Sequence, residues 1–179
     1  MPERPPAGEA AIRLDPFEAG HLAAFSAMFE DPDVGRFTRL PTAPPPDYAE
    51  SWLRRYEDGR RDGSCEAFAI VDSEHGEFLG IGVAPRIDRE AKTLELGYVV
   101  TPAARGRGVA TEALRLLTEW SFTKIGALRV ELFISTDNDA SKAVARRCGY
   151  VREGVLRSAH VKEGLREDTE IWSRLPGDP

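Results

Sequence analysis

Apolar positions change their spacing along this chain, and the changes divide it into elements. Residues 11–14 alternate as a short first strand. Asp15-Pro16 then supplies a helix cap with proline at the first helical position, and Leu22, Phe25, Met28 and Phe29 recur at helical spacing over 17–29. Asp31-Pro32-Asp33 is expected to end that helix, and residues 35–46 read as a loop stiffened by Pro44, Pro45 and Pro46. Asp47 is expected to cap a second helix carrying Tyr48, Trp52, Leu53 and Tyr56, which ends near Asp58-Gly59. Two strand-like runs, 65–71 and 78–87, form a hairpin through His75-Gly76. A third strand, 93–100, carries Leu94, Leu96, Tyr98 and Val100 on one face and Glu95, Gly97 and Val99 on the other.

Past residue 100 the period lengthens. Val109, Ala113, Leu116, Leu117 and Trp120 line one face of a helix over 108–124, and Gly126 breaks the chain before a strand at 127–134. Thr136-Asp137-Asn138-Asp139 caps a short helix, 140–147, that stops at Gly149. Two last strands, 150–157 and 167–175, turn around Glu163-Gly164. The order predicts one mixed α/β domain over 11–175, with 1–10 as a disordered leader and 176–179 as a tail. The proline loop and aromatic helix read equally as a substrate-pocket wall and as core packing beneath a surface loop.

Composition narrows the function classes. The length suits one domain that buries a core without disulfides or metal. No apolar run reaches the roughly eighteen residues that a membrane-spanning helix needs, and the first residues lack a signal peptide's apolar stretch. Cys65 and Cys148 form no CxxC pair and suit a reducing cytoplasm as small buried residues. His21, His75 and His160 lack metal-ligand spacing, so no metal site is expected. A net charge of −6 gives no electrostatic support to broad nucleic-acid or membrane binding, yet a local basic loop can still hold one phosphate group.

Such a loop sits in TLELGYVVTPAARGRGVA, residues 93–110. A strand runs through a proline turn into a glycine-broken basic loop and then a helix start, where backbone N–H groups and the helix dipole favour an anion. Gly106 and Gly108 let the backbone turn and approach closely, and Arg105 and Arg107 add charge. The GxxxxGK pattern of nucleotide-binding loops is absent, and a GxGxxG fingerprint fails because its third glycine position is Thr111.

Arg105-x-x-Gly108-x-Ala110 after the strand LELGYVV resembles the acetyl-CoA pyrophosphate motif of the GCN5-related N-acetyltransferases. The likeness continues through Asn138-Asp139-Ala140-Ser141, Cys148-Gly149-Tyr150, Glu153-Gly154-Val155-Leu156-Arg157 and 164–172, and is similar to the branch containing the ribosomal-protein N-terminal acetyltransferases. That resemblance implies a mostly antiparallel, V-splayed sheet of about six to seven strands flanked by about four helices. It also implies acetyl-CoA as cosubstrate. Its pyrophosphate would lie on the backbone of Arg105, Gly106, Arg107, Gly108, Val109 and Ala110. Pantetheine would run in the splay, pairing with backbone at Tyr98, Val99 and Val100, and Asn138 would bond its arm. Ser141 would sit near the sulfur as a proton donor to the leaving thiolate, with an ordinary polar residue early in the helix as its alternative. Tyr150 is the weaker donor because it opens a strand and packs.

The resemblance also implies direct attack by the amine within a ternary complex, without an acyl-enzyme, which leaves Cys148 out of the chemistry. Glu95, a carboxylate in an apolar strand, is the first candidate for general base; the alternatives are pairing with an arginine or binding the substrate amine. His160 is the second candidate, at a position where the resemblance leads one to expect an acid, with a plain surface histidine as its alternative. The overall resemblance favours a protein N-terminal α-amine as acceptor, with polyamines, aminoglycosides and amino-acid-like metabolites as alternatives. A non-catalytic acyl-CoA sensor or a structural interaction module would share the fold. Homodimers are common in that branch, although no stretch of this chain marks a dimer interface.

Overall fold

In the computed structural model, residues 10–178 are described. The strands are β1 Ile12–Pro16, β2 Glu66–Asp72, β3 Phe78–Asp88, β4 Thr93–Val100, β5 Arg129–Ser135, β6 Val151–Lys162 and β7 Leu165–Arg174. The α-helices are α1 Leu22–Ala27, α2 Pro32–Phe37, α3 Tyr48–Asp62, α4 Val109–Trp120 and α5 Asp139–Arg147. All seven strands join one sheet in the order β1-β2-β3-β4-β5-β7-β6. Every neighbouring pair is antiparallel except β4 and β5.

That single parallel pairing is short. Thr93, Leu94 and Glu95 sit opposite Arg129, Val130 and Glu131, and there the register ends although both strands continue. From Leu96 and Leu132 onward the two strands diverge, which is the splay expected from the sequence resemblance. The α4 helix packs across the sheet face bearing Leu94, Leu96, Val130, Leu132 and Ile134, where its Leu114 and Leu117 are fully buried. Each such leucine contributes roughly 1.5–3 kcal/mol. Close approach is built in at Gly82, where an added Cβ would lie 2.8 Å from Leu117 Cδ1. The opposite face, with Ala67, Ala69, Ile81, Val83 and Val99, is covered by α1, α2 and α3 through Phe25, Val34, Trp52 and Tyr56.

Boundaries mostly fall within a few residues of the sequence reading, and the β4 limits coincide with it. The first correction is at Asp15-Pro16, which does not start a helix. Both residues pair in β1, with Ala69 and Phe68, and helical turns begin only at Ala19, where Glu18 and His21 form a reciprocal capping box. The second is at Asp31, which opens a helix rather than closing one. Its Oδ1 accepts from Asp33 N at 3.0 Å with Pro32 at the first position, giving α2 within a segment expected to be loop. The α3 helix runs on to Asp62. The proposed leader falls on residues 1–9, outside the described residues, except for Ala10, which packs against the Ile70–Val109 cluster.

Candidate active site

The glycine loop enters from the end of β4. Gly106 and Gly108 have φ of 70° and 82°, the left-handed region in which glycine is unstrained, and Gly108 is the residue at which α4 begins. Both are exposed, with no atom within 4 Å of a Cβ placed on them, so the loop is an open backbone surface. The N–H groups of Val109, Ala110 and Thr111 face out of the first helical turn. This donor set suits a pyrophosphate.

Arg105 is placed differently from its neighbours. Its N–H donates to Pro102 O at 3.2 Å, and its guanidinium pairs with Asp31 and with Asp33 Oδ2 at 3.3 Å. Its side chain thus ties the loop to the first turn of α2, which narrows the open donor set to 106–110. Arg107 is exposed and makes no ion pair with a described residue.

The pleat of β4 sends its side chains to the two sheet faces. Tyr98 turns toward the α4 and α5 side, where its phenol oxygen is 3.0 Å from Ser141 Oγ, either group able to donate. Burial, the largest influence, pushes the Tyr98 phenol up to about 12, against the hydrogen bond from Ser141. Ser141 N donates in turn to Asn138 Oδ1 at 3.1 Å, so Asn138 serves as the N-cap of α5 with its carboxamide oxygen. Its NH₂ group remains to reach a ligand. Tyr150 packs, as expected, with its hydroxyl 2.6 Å from Thr118 Oγ1 in the core. Cys148 is buried, its Sγ 3.4 Å from Thr111 O, and burial pushes its thiol up, so it is not poised as a nucleophile.

Glu95 points to the other face. Its side chain is 12% exposed and Oε1 lies 2.9 Å from Arg39 Nη1. Burial raises its carboxyl above the usual carboxylate range, more than Arg39 and Arg86 pull it down, and Glu131 pushes the same way as burial. His160 on β6 lies within the field of Arg39 too; burial is the main reason its imidazole is held below its ordinary value. Arg39 therefore acts on both candidate bases. A cleft of about 450 Å³ opens here, lined by Arg39, Arg55, Pro85, Arg86, Glu95 and Phe133. A second of about 550 Å³ continues past Arg55 and Pro85, away from the splayed strands. The former holds the candidate base and is the better candidate for an acceptor site.

The loop between α2 and α3 that carries Arg39 is pinned by the β6–β7 turn. Lys162 Nζ donates to Gly35 O and, at 3.0 Å, to Thr38 O, while Glu163 Oε1 accepts from Thr42 N at 3.1 Å. Sequence reading missed Arg39, Arg55 and Arg86, and it missed the Tyr98 phenol. The arginines' signal is spread over a loop, a helix and a strand bulge near Val83–Arg86 that only folding brings together. Among the described residues no group of three or more His, Cys, Asp or Glu is arranged to hold a metal, and no helix is long and apolar enough to cross a membrane.

Known proteins resemble this chain in sequence and fold. The family model described as an acetyltransferase (GNAT) domain matches residues 11–151. The ribosomal-protein-serine acetyltransferase of Escherichia coli (strain K12) is 30% identical over 114 residues, 63% of this chain and 62% of that protein. Among solved structures, RimL, a ribosomal L7/L12 α-N-protein acetyltransferase in complex with coenzyme A, superposes with a TM-score of 0.84 at 19% identity, covering 95% of this chain and 96% of that one. Spermidine N-acetyltransferase from Vibrio cholerae, in complex with CoA and spermine, does so with a TM-score of 0.83 at 17% identity, covering 95% and 98%.

Proposed function

The chain belongs to the GNAT acetyltransferase family, and from that premise we propose that it transfers an acetyl group from acetyl-CoA to the α-amine at a protein N-terminus. The observation that carries this reading is the division of chemistry across the splayed strand β4. Glu95 faces the open cleft on one side of the sheet, and Tyr98 meets Ser141 of α5 on the other. Donor and acceptor would approach the gap from opposite faces.

Residues 106–110 would hold the pyrophosphate, the backbone of Tyr98, Val99 and Val100 the pantetheine arm, and Asn138 a polar group along it. The coenzyme supplies an activated thioester and a thiol leaving group. Glu95 removes the proton of the attacking ammonium or amine, directly or through water; its raised pKa makes it a better base than an ordinary surface carboxylate. An α-amine with a reference pKa of about 8 needs only that mild help, whereas a lysine at about 10.4 needs more. Ser141 offers a proton at the donor side, and Tyr98, protonated at neutral pH, can replace it from 3.0 Å away. His160 is the reserve base on the acceptor side. The substrates after which these relatives are named, a ribosomal protein and spermidine, mark the two acceptor classes to separate.

The test is thiol release from acetyl-CoA against peptides of differing N-termini, polyamines and aminoglycosides. Turnover with peptides is the expected result. Turnover confined to polyamines or aminoglycosides refutes the N-terminal reading, and silence with tight coenzyme binding marks a sensor.

A further inference from the structure

We propose that the acceptor carries negative charge near its amine, and that Arg55 and Arg86 read it: the substrate is an N-terminus followed by acidic side chains. This rests on the reading of a protein N-terminus as acceptor. The chain as a whole has a net charge of −6, yet the cleft beside Glu95 is lined by Arg39, Arg55 and Arg86 against that single carboxylate.

The arginines differ in how fully they are engaged. Arg39 is matched by Glu95 at 2.9 Å. Arg86 reaches Glu131 only at 3.6 Å, and Glu131 already accepts from Arg129 Nε at 2.7 Å. Arg55 is exposed and has no ion pair with a carboxylate among the described residues; its guanidinium lies 5.6 Å from the centre of the Tyr56 ring. Of the acidic residues along the neighbouring cleft, Asp58 pairs with Arg61 at 2.9 Å, and Asp62, which accepts from Ser64 N at 2.8 Å and keeps its charge, is not among the residues lining the Glu95 cleft. Positive charge is therefore left over where the chain behind an acceptor amine would lie. Pro85 and Phe133 form the apolar part of the lining, and such walls strengthen the field felt by a bound charge. A polycation would meet repulsion here. An acidic peptide finds guanidinium forks that suit carboxylates.

The experiment uses the whole chain at saturating acetyl-CoA and follows thiol release. The acceptors are serine-started peptides whose next residues are acidic, neutral or lysine, together with an acidic amino acid and spermidine. The acidic peptide should exceed the lysine peptide in kcat/KM by on the order of tenfold, an advantage that shrinks as salt is added. Arg55→Glu should abolish or invert that ratio, while Arg55→Gln should weaken it, both leaving KM for acetyl-CoA and the melting temperature in place because Arg55 is exposed. A lysine peptide or spermidine used as well as the acidic peptide overturns the proposal, as does a ratio unmoved by Arg55→Glu. Turnover of all peptides regardless of charge sinks the charge inference and keeps the N-terminal reading. Turnover of the acidic amino acid alone keeps the charge preference and sinks the peptide. No turnover by any acceptor overturns both.

Discussion

Replacing Glu95 by Gln keeps the shape of the side chain and removes its basicity. If Glu95 is the base, kcat/KM should fall by about 10²–10⁴, the usual worth of a positioned base, or roughly 3–5 kcal/mol of barrier. Stability offers no rival explanation for a loss of that size. The ion pair that disappears joins Glu95 to an Arg39 side chain that is 61% exposed, a contact worth about 0–1 kcal/mol. A chain of this length should then melt within about 4 °C of the parent. The assay is thiol release with an N-terminal peptide at saturating acetyl-CoA, from mildly acidic to alkaline pH. In the parent, activity should fall on the acid side through a pKa above the ordinary carboxylate value of about 4.3, because burial raises Glu95. Glu95→Gln should erase that limb. Arg39→Gln should move it to higher pH, since the lost guanidinium favours the ionised carboxylate. Activity of Glu95→Gln within about threefold of the parent, acid limb intact, would refute the base assignment. Raised KM at unchanged kcat would instead make Glu95 an amine-binding group.

Ser141→Ala should lower kcat with little change in acetyl-CoA affinity, and Tyr98→Phe should lower it by a smaller factor, about tenfold or less; rates that stay level in both remove the pair from proton delivery. Lys162→Ala should loosen the Arg39 loop by about 1 kcal/mol and Glu163→Ala should loosen it less, seen as faster proteolysis at 38–47 and weaker acceptor kinetics at constant coenzyme KM. Glu153 accepts from Arg129 at 2.6 Å and from Ser173 at 2.6 Å, which hold its carboxyl down to about 2. Its stabilising contribution is present above the unfolded carboxylate's pKa of about 4.3 and is lost as pH falls from there toward 2. Thermal melts of Glu153→Gln should therefore show lower stability than the parent at neutral pH and convergence with it in strong acid.

Most of the sheet could be read from residues alone because alternation and glycine turns are local signals. The glycine loop was legible for the same reason: strand, glycines and helix start are contiguous in the chain. Asp-Pro at 15 and 31 shows where local reading stops. The same dipeptide ends strand β1 in one place, held by its register with β2, and caps α2 in the other, held by its own Asp33 bond and by Arg105. Nothing within either dipeptide tells the cases apart. The acceptor side was less legible still. Ser141 and its phenol partner stand 43 residues apart, and the loop of Arg39 is fixed by a turn more than a hundred residues later. These are long-range pairings, and no short window of sequence contains both members.

The brevity of the β4–β5 pairing bears on how this chain could change by descent. Only three residue pairs join the strands, and they lie at the end away from the glycine loop. Beyond them, few backbone hydrogen bonds of the ladder depend on the spacing between Leu96–Val100 and Leu132–Ser135. With the acyl group in that interval, as proposed above, substitutions that widen it for a bulkier group would draw mainly on side-chain packing beneath α4 and α5. Donor choice could thus drift by small steps, each tolerable alone, while the glycine loop and the arginine cleft remained under separate selection.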